Sequence, residues 1–252
     1  MTAKQRYFIE LAYDGTNYHG WQMQPNAVGV QEVLNKALTT ILREPIETLG
    51  CGRTDTGVHA KEFFAHFDVV DSSWSMDHGS TLRSLNAILP HDIAIKRLIH
   101  VTPDAHARFD ATSRSYEYHI HFNKDPFKNG YSWLLRDEPD LELMNQAAKL
   151  IMQYIDFSCF SKSNTQVYTN NCKITNALWG RTDEGIVFKI SADRFLRNMV
   201  RAIVGTLLMI GNKEMSPEAI HDIIKSKNRG NAGASVPACG LYLTEVKYPF
   251  LG

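Results

Sequence analysis

Segments of strand period and helix period alternate along this whole chain, which confines it to folds that pack helices on a sheet. Residues 113–122 (SRSYEYHIHF) are the clearest strand. Tyr116, Tyr118, Ile120 and Phe122 share one face, and Ser115, Glu117, His119 and His121 the other. Residues 30–43 are the clearest helix, with apolar side chains at 30, 33, 34, 37, 38, 41 and 42. The remaining pattern predicts strands at 6–13, 46–49, 62–70, 92–101, 172–181, 185–191 and 241–248. It predicts helices at 81–89, 141–154 and 195–210, and a further one opened by Ser216-Pro217. Asp140 is placed as an N-cap and Gly211 as a C-cap. The class is therefore α+β, with a mixed, mainly antiparallel sheet and flanking helices. The best boundary falls in 103–110 and divides the chain into 1–105 and 106–252. That stretch lacks a linker's composition, so the halves are expected to share one core.

Composition narrows the options further. At 252 residues, 44% hydrophobic and 21% charged, the chain is neither disordered, collagen-like nor a coiled coil. Its longest apolar candidate, 202–210, is far short of the roughly 20 residues of a membrane span. No apolar signal core follows the first charges, and the four cysteines form no CxxC pair. A reducing cytoplasm with free thiols is expected. Basic and acidic residues balance at 27 each, with −3 over 1–105 and +3 over 106–252. This balance allows RNA binding if arginines converge on one surface, without suggesting it.

Chemistry concentrates in residues 50–60, GCGRTDTGVHA. Glycines at 50, 52 and 57 free the backbone for turns and for close approach to a ligand. One carboxylate, Asp55, stands between them, with Arg53 two residues earlier and hydroxyls on either side. A carboxylate held on a rigid loop can act as nucleophile or general base. A phosphate loop is excluded, because no Lys-Ser/Thr pair and no helix start follow the glycines. His119 and His121 have a spacing that can chelate zinc, but no further ligands stand at a recognisable distance. No metal is expected.

GRTDTGVHA resembles the signature of tRNA pseudouridine synthases of the A type, whose usual form is GRTDAGVHA. Four more motifs stand in the family's order along the chain: YDGTNYHGWQ at 13–22 before the signature, and HARFDATSRSYEY at 106–118, FLRNMVRAIVGTL at 195–207 and GLYLTEVKY at 240–248 after it. Thr56 is the one departure inside the signature. The resemblance implies the pseudouridine synthase fold, with two similar α/β halves sharing a central catalytic cleft. It implies isomerisation of uridine to pseudouridine in the anticodon stem-loop of tRNA, at positions 38 to 40, without a cofactor. It also implies a homodimer whose tRNA spans both subunits. Asp55 matches the family's catalytic aspartate; sequence leaves open whether it attacks C1′ or removes a ribose proton. Arg201 matches the arginine that keeps that carboxylate ionised, and Tyr116 the tyrosine that contacts the substrate. Arg53 matches an arginine that helps hold the target base out of its stem. Arg108, Arg114, Arg194 and Arg197 are candidates for an RNA-facing basic surface. Two readings of other classes stand beside this one. A tRNA-binding protein or RNA chaperone would keep the surface and lack turnover. A glycoside or nucleoside hydrolase would usually need a second carboxylate, which this loop lacks.

Overall fold

The computed structural model describes residues 4–70, 78–161 and 168–251. In chain order the first elements are β1 (Gln5–Tyr13), α1 (Val30–Leu42), β2 (Leu49–Gly50), β3 (His59–Val69), α2 (His78–Ile88) and β4 (Ile93–Val101). They continue with β5 (Ser113–His121), β6 (Trp133–Leu134), α3 (Leu141–Ile151), β7 (Ile174–Thr182) and β8 (Gly185–Ala192). The last are α4 (Met199–Gly211), α5 (Ala219–Ser226) and β9 (Leu241–Lys247). The class is α+β, and the strand pairs described are antiparallel except β5 with β6. The chain divides into two compact units, Met1–Thr112 with Leu243–Gly252, and Ser113–Tyr242.

In the first unit the strands run β4-β1-β3-β9, with β2 added to β3. β1 is flanked on both sides and covered on both faces, so Tyr7, Phe8, Ile9, Glu10 and Leu11 are all buried. The one charge in that run, Glu10, is met by Arg97 Nε at 2.5 Å, as a buried carboxylate requires. α1 ends where Arg43 takes a left-handed φ of 57°. The strand expected at 46–49 shrinks to Leu49–Gly50, because its polar backbone is used elsewhere. Ile46 N donates to Thr39 Oγ1 (3.0 Å), Thr48 N donates to Asn35 Oδ1 (3.0 Å), and Thr48 O accepts from Gln31 Nε2 (2.6 Å). Side chains of α1 thus take the place of a neighbouring strand.

In the second unit β8 lies between β5 and β7, and β6 runs parallel to β5. α3 packs on β7 and against α4 and α5. Its N-terminus is capped by Asp140, which accepts from Glu142 N at 3.2 Å and Leu143 N at 3.3 Å. In α4 every residue except Arg201 and Met209 is buried, so it forms the interior of this unit. The expected start of that helix is corrected: it begins at Met199, because Asn198 has φ of 65° and breaks the helical path. Its expected end is corrected as well. Gly211 is the last helical residue, and Lys213 takes the left-handed turn at φ 63°. Gly211 is needed for space, since a Cβ there would stand 2.6 Å from Met144 Sδ. The Ser216-Pro217 helix begins two residues late, at Ala219. Among the described residues no helix is long and apolar enough to cross a membrane.

Candidate functional site

The 50–60 loop of the first unit is clasped by residues 13–22. Tyr13 OH lies 2.9 Å from Thr54 Oγ1, and Trp21 N donates to Thr54 O at 3.4 Å. Gly57 N donates to Tyr18 O at 3.2 Å, and Gly15 N donates to the buried His59 ring at Nδ1, 3.1 Å away. The Asp14 carboxylate lies 3.0 Å from the same nitrogen. Tyr18 is anchored in turn by Asp92, whose Oδ1 accepts from its hydroxyl at 2.5 Å. Burial and this carboxylate push the Tyr18 phenol well above its ordinary range.

Two glycines make the clasp possible. Gly20 has φ of 84°, and a Cβ there would fall on the Thr54 carbonyl oxygen. Gly57 has φ of 76° at the third position of a turn closed by Val58 N donating to Asp55 O at 3.2 Å. That is the position of a type II turn that favours glycine. Asp55 opens this turn, with its carbonyl held by Val58 N and the residue half-exposed. Arg53 and Thr56 are exposed on either side. The Trp21 ring, stacked on Phe63 with centroids 4.2 Å apart, crowds Gly50. Gly52 departs only from the expected turn geometry. Its φ is not in the left-handed region, and beyond its chain neighbours no atom of the described residues lies within 4 Å of where a Cβ would stand.

In the second unit Arg201 sits half-exposed in the first turn of α4, among the buried side chains of Met199, Val200, Ile203 and Val204. Its Nε donates to Val236 O at 2.7 Å, and Val236 N donates back to Arg201 O at 3.3 Å. The 228–236 segment that supplies this anchor is itself braced. Arg229 donates to Ala232 O (3.2 Å), Gly233 O (3.0 Å) and Ser235 Oγ (3.0 Å). Asn198 Nδ2 donates to Ser235 Oγ at 2.5 Å, and Gly233 N donates to the buried Thr206 hydroxyl at 2.8 Å. Sequence reasoning missed this segment. Its one readable signal is Gly205 facing it, where a Cβ would overlap the Ala234 carbonyl.

Tyr116 on β5 meets Phe195 edge-on, with centroids 5.1 Å apart and planes at 87°. Arg114, two residues earlier, donates to Asp193 O at 2.8 Å, and Arg194 donates to Thr169 O at 3.2 Å. Tyr116, Arg114 and Arg194 therefore gather at the 193–195 turn, while Arg197 is exposed nearer α4. Arg194 and Arg197 lie on the connection before α4, not on the helix itself. Tyr118 is fully buried, and its hydroxyl donates to Pro237 O at 2.8 Å. Arg108 stands apart from Arg53 and Asp55 in sequence, exposed on the 105–112 segment of the first unit, whose alanines at 105, 107 and 111 are buried. His119 Nε2 lies 3.1 Å from Glu117 Oε2, and His121 is buried. Among the described residues no three His, Cys, Asp or Glu side chains are grouped to hold a metal ion.

The family model described as tRNA pseudouridine synthase matches residues 152–249. A protein named tRNA pseudouridine synthase A from Bacteroides fragilis is 51% identical over 246 residues, covering 97% of this chain and 97% of its own. Its namesake from Bacteroides thetaiotaomicron is 51% identical, covering 97% and 91%. That from Porphyromonas gingivalis is 50% identical, covering 97% of each. The chain belongs to the tRNA pseudouridine synthase A family. Coverage of 97% carries the membership across the sequence of both units. Thr56, where the family's usual form has alanine, is exposed in the turn that follows Asp55.

Proposed function

We propose that the protein is an isomerase that converts uridine to pseudouridine in tRNA, at positions 38 to 40 of the anticodon stem-loop. The reaction breaks the N1–C1′ bond and forms C5–C1′, and the proton lost from C5 is balanced by one gained at N1. No electrons are exchanged, so no redox cofactor is required. The observation that carries this reading is Asp55, the carboxylate of the family signature, on a loop whose backbone is hydrogen-bonded at Thr54, Asp55 and Gly57. A loop held in this way fixes where the carboxylate is attached before substrate arrives, and a carboxylate beside an anomeric carbon can attack it. Asp55 is assigned as the nucleophile. Arg201 is assigned as the catalytic arginine that partners Asp55, Tyr116 to contact with the uracil, and Arg53 to holding the base out of its stem. The working species is a homodimer, and sedimentation as a monomer at assay concentration would contradict that assignment.

The test uses unmodified tRNA labelled with tritium at C5 of uridine. Formation of the C5–C1′ bond expels the label, so wild type releases tritium. Asp55→Asn is expected to lower release by at least about 1000-fold while tRNA affinity stays near that of wild type. Release from both proteins would sink the assignment of Asp55. Release from neither, with tRNA still bound, would leave an RNA-binding protein in place of an enzyme.

A further inference from the structure

The 105–112 segment presents an aromatic ring that neither the core nor the assignments above use. Phe109 is 75% exposed, so most of its ring meets water. The segment beneath it is firmly held. Arg6 Nη1 donates to Ala105 O at 3.0 Å, and Ala107 N donates to His66 Nδ1 at 3.1 Å. Tyr248 OH donates to Ala107 O at 2.5 Å, and Thr112 N donates to Lys247 O at 2.8 Å. Burial, with Arg6 and His106 nearby, pulls the His66 imidazole down to about 4, so it is neutral at pH 7 and able to accept.

The turn then builds a mount for the ring. His106 N donates to Asp110 Oδ2 at 2.7 Å, and Asp110 N donates to His106 O at 3.0 Å. His106 Nδ1 accepts from both Arg108 N (3.1 Å) and Phe109 N (3.2 Å). The imidazole held this way stacks on the Phe109 ring, with centroids 4.2 Å apart and planes at 29°. The Arg108 guanidinium carbon lies 5.9 Å from the same ring centroid. Phe109 is thus an aromatic plane backed by a second ring and set beside a cation, with most of its area in water.

That pairing suits a nucleic acid, since a phenyl face takes a base of any identity and a guanidinium takes the adjoining phosphate. Resting on the tRNA reading above, we propose that Phe109 is a stacking platform for an unpaired nucleobase of the bound tRNA, with Arg108 on the neighbouring phosphate. His106 is the positioning residue that holds the ring. The platform is separate in role from Tyr116, which is assigned to the target uracil.

The experiment measures tRNA affinity, tritium release and sedimentation for wild type, Phe109→Ala, Phe109→Trp and Arg108→Gln as full-length proteins. Phe109→Ala is expected to bind unmodified tRNA about 5- to 150-fold more weakly. Phe109→Trp is expected to restore binding and to show indole quenching on adding tRNA, beyond that of wild type. Arg108→Gln is expected to reduce the salt dependence of log affinity by about one contact. Binding by Phe109→Ala within twofold of wild type overturns the platform. So does a shift of Phe109→Ala to a smaller sedimenting species, which would place a second copy of the chain on the ring. Tritium release by wild type separates the two readings. If wild type is inactive and Phe109→Ala still loses tRNA, the isomerase reading fails and the platform stands. If wild type is active and Phe109→Ala binds normally, only the platform fails.

Discussion

Asp55 in the first unit and Arg201 in the second lie on segments held by different means. The loop around Asp55 is clasped mostly through main-chain groups: Trp21 N to Thr54 O, Gly57 N to Tyr18 O, and Val58 N to Asp55 O. The clasp works because Gly20 and Gly57 take positive φ and because no Cβ intervenes at Gly20. Arg201 is anchored through its own side chain, Nε to Val236 O, by a segment that Arg229, Asn198 and Thr206 secure in turn. Backbone clasping fixes where the Asp55 side chain begins through bonds that the main chain alone supplies. Side-chain anchoring ties the guanidinium itself to a carbonyl of the neighbouring segment. Substitutions that remove space should therefore damage the first region, and substitutions that remove donors should damage the second.

The strongest test of this contrast is Gly20→Ala. A side chain at φ 84° meets both left-handed strain and the Thr54 carbonyl, so a loss of about 3 kcal/mol is expected. Urea unfolding measures that loss, and tritium release should fall with it. A variant as stable as wild type would show that the clasp is not what holds the loop. Arg229→Ala comes next. It removes a cation that bonds Ala232 O, Gly233 O and Ser235 Oγ, and about 1–2 kcal/mol is expected. Because Arg229 acts through the Arg201 anchor, kcat should fall while KM for tRNA changes little. An equal rise in KM would make it an RNA contact instead. The smallest effect is expected for Gly52→Ala, where beyond the chain neighbours no atom of the described residues stands within 4 Å of the new methyl group. Its stability should stay within about 0.5 kcal/mol of wild type, as a thermal melt will record. If its tRNA affinity nevertheless drops, the open space over Gly52 is filled by substrate.

The accuracy of the sequence reading followed the range of the interactions involved. Period-two alternation set β5 to within a residue, and Asp140 caps α3 as its place before an apolar run implied. Both are local, decided by side chains within a turn or two of each other. The misread boundaries have distant causes. Residues 46–48 are drawn out of strand pairing by Asn35, Gln31 and Thr39 of α1. The start of α4 is set at Asn198, whose side chain is tied to Ser235. Gly211 read as a helix stop, while packing against Met144 is what requires it to be glycine.

The same division runs through the candidate site. The sequence alone determined that the chain is α+β, that Asp55 stands in a glycine-bounded signature, and that five motifs follow the order of one family. A motif is a local string of residue types, and family resemblance reads such strings directly. Only the tertiary structure decided how YDGTNYHGWQ serves the loop, which residues anchor Arg201, and that Phe109 stands in water on a stack with His106. Those outcomes depend on backbone carbonyls and on neighbours tens of residues away. Every residue type carries a carbonyl, so no residue letter records which ones a fold will bring within hydrogen-bonding distance.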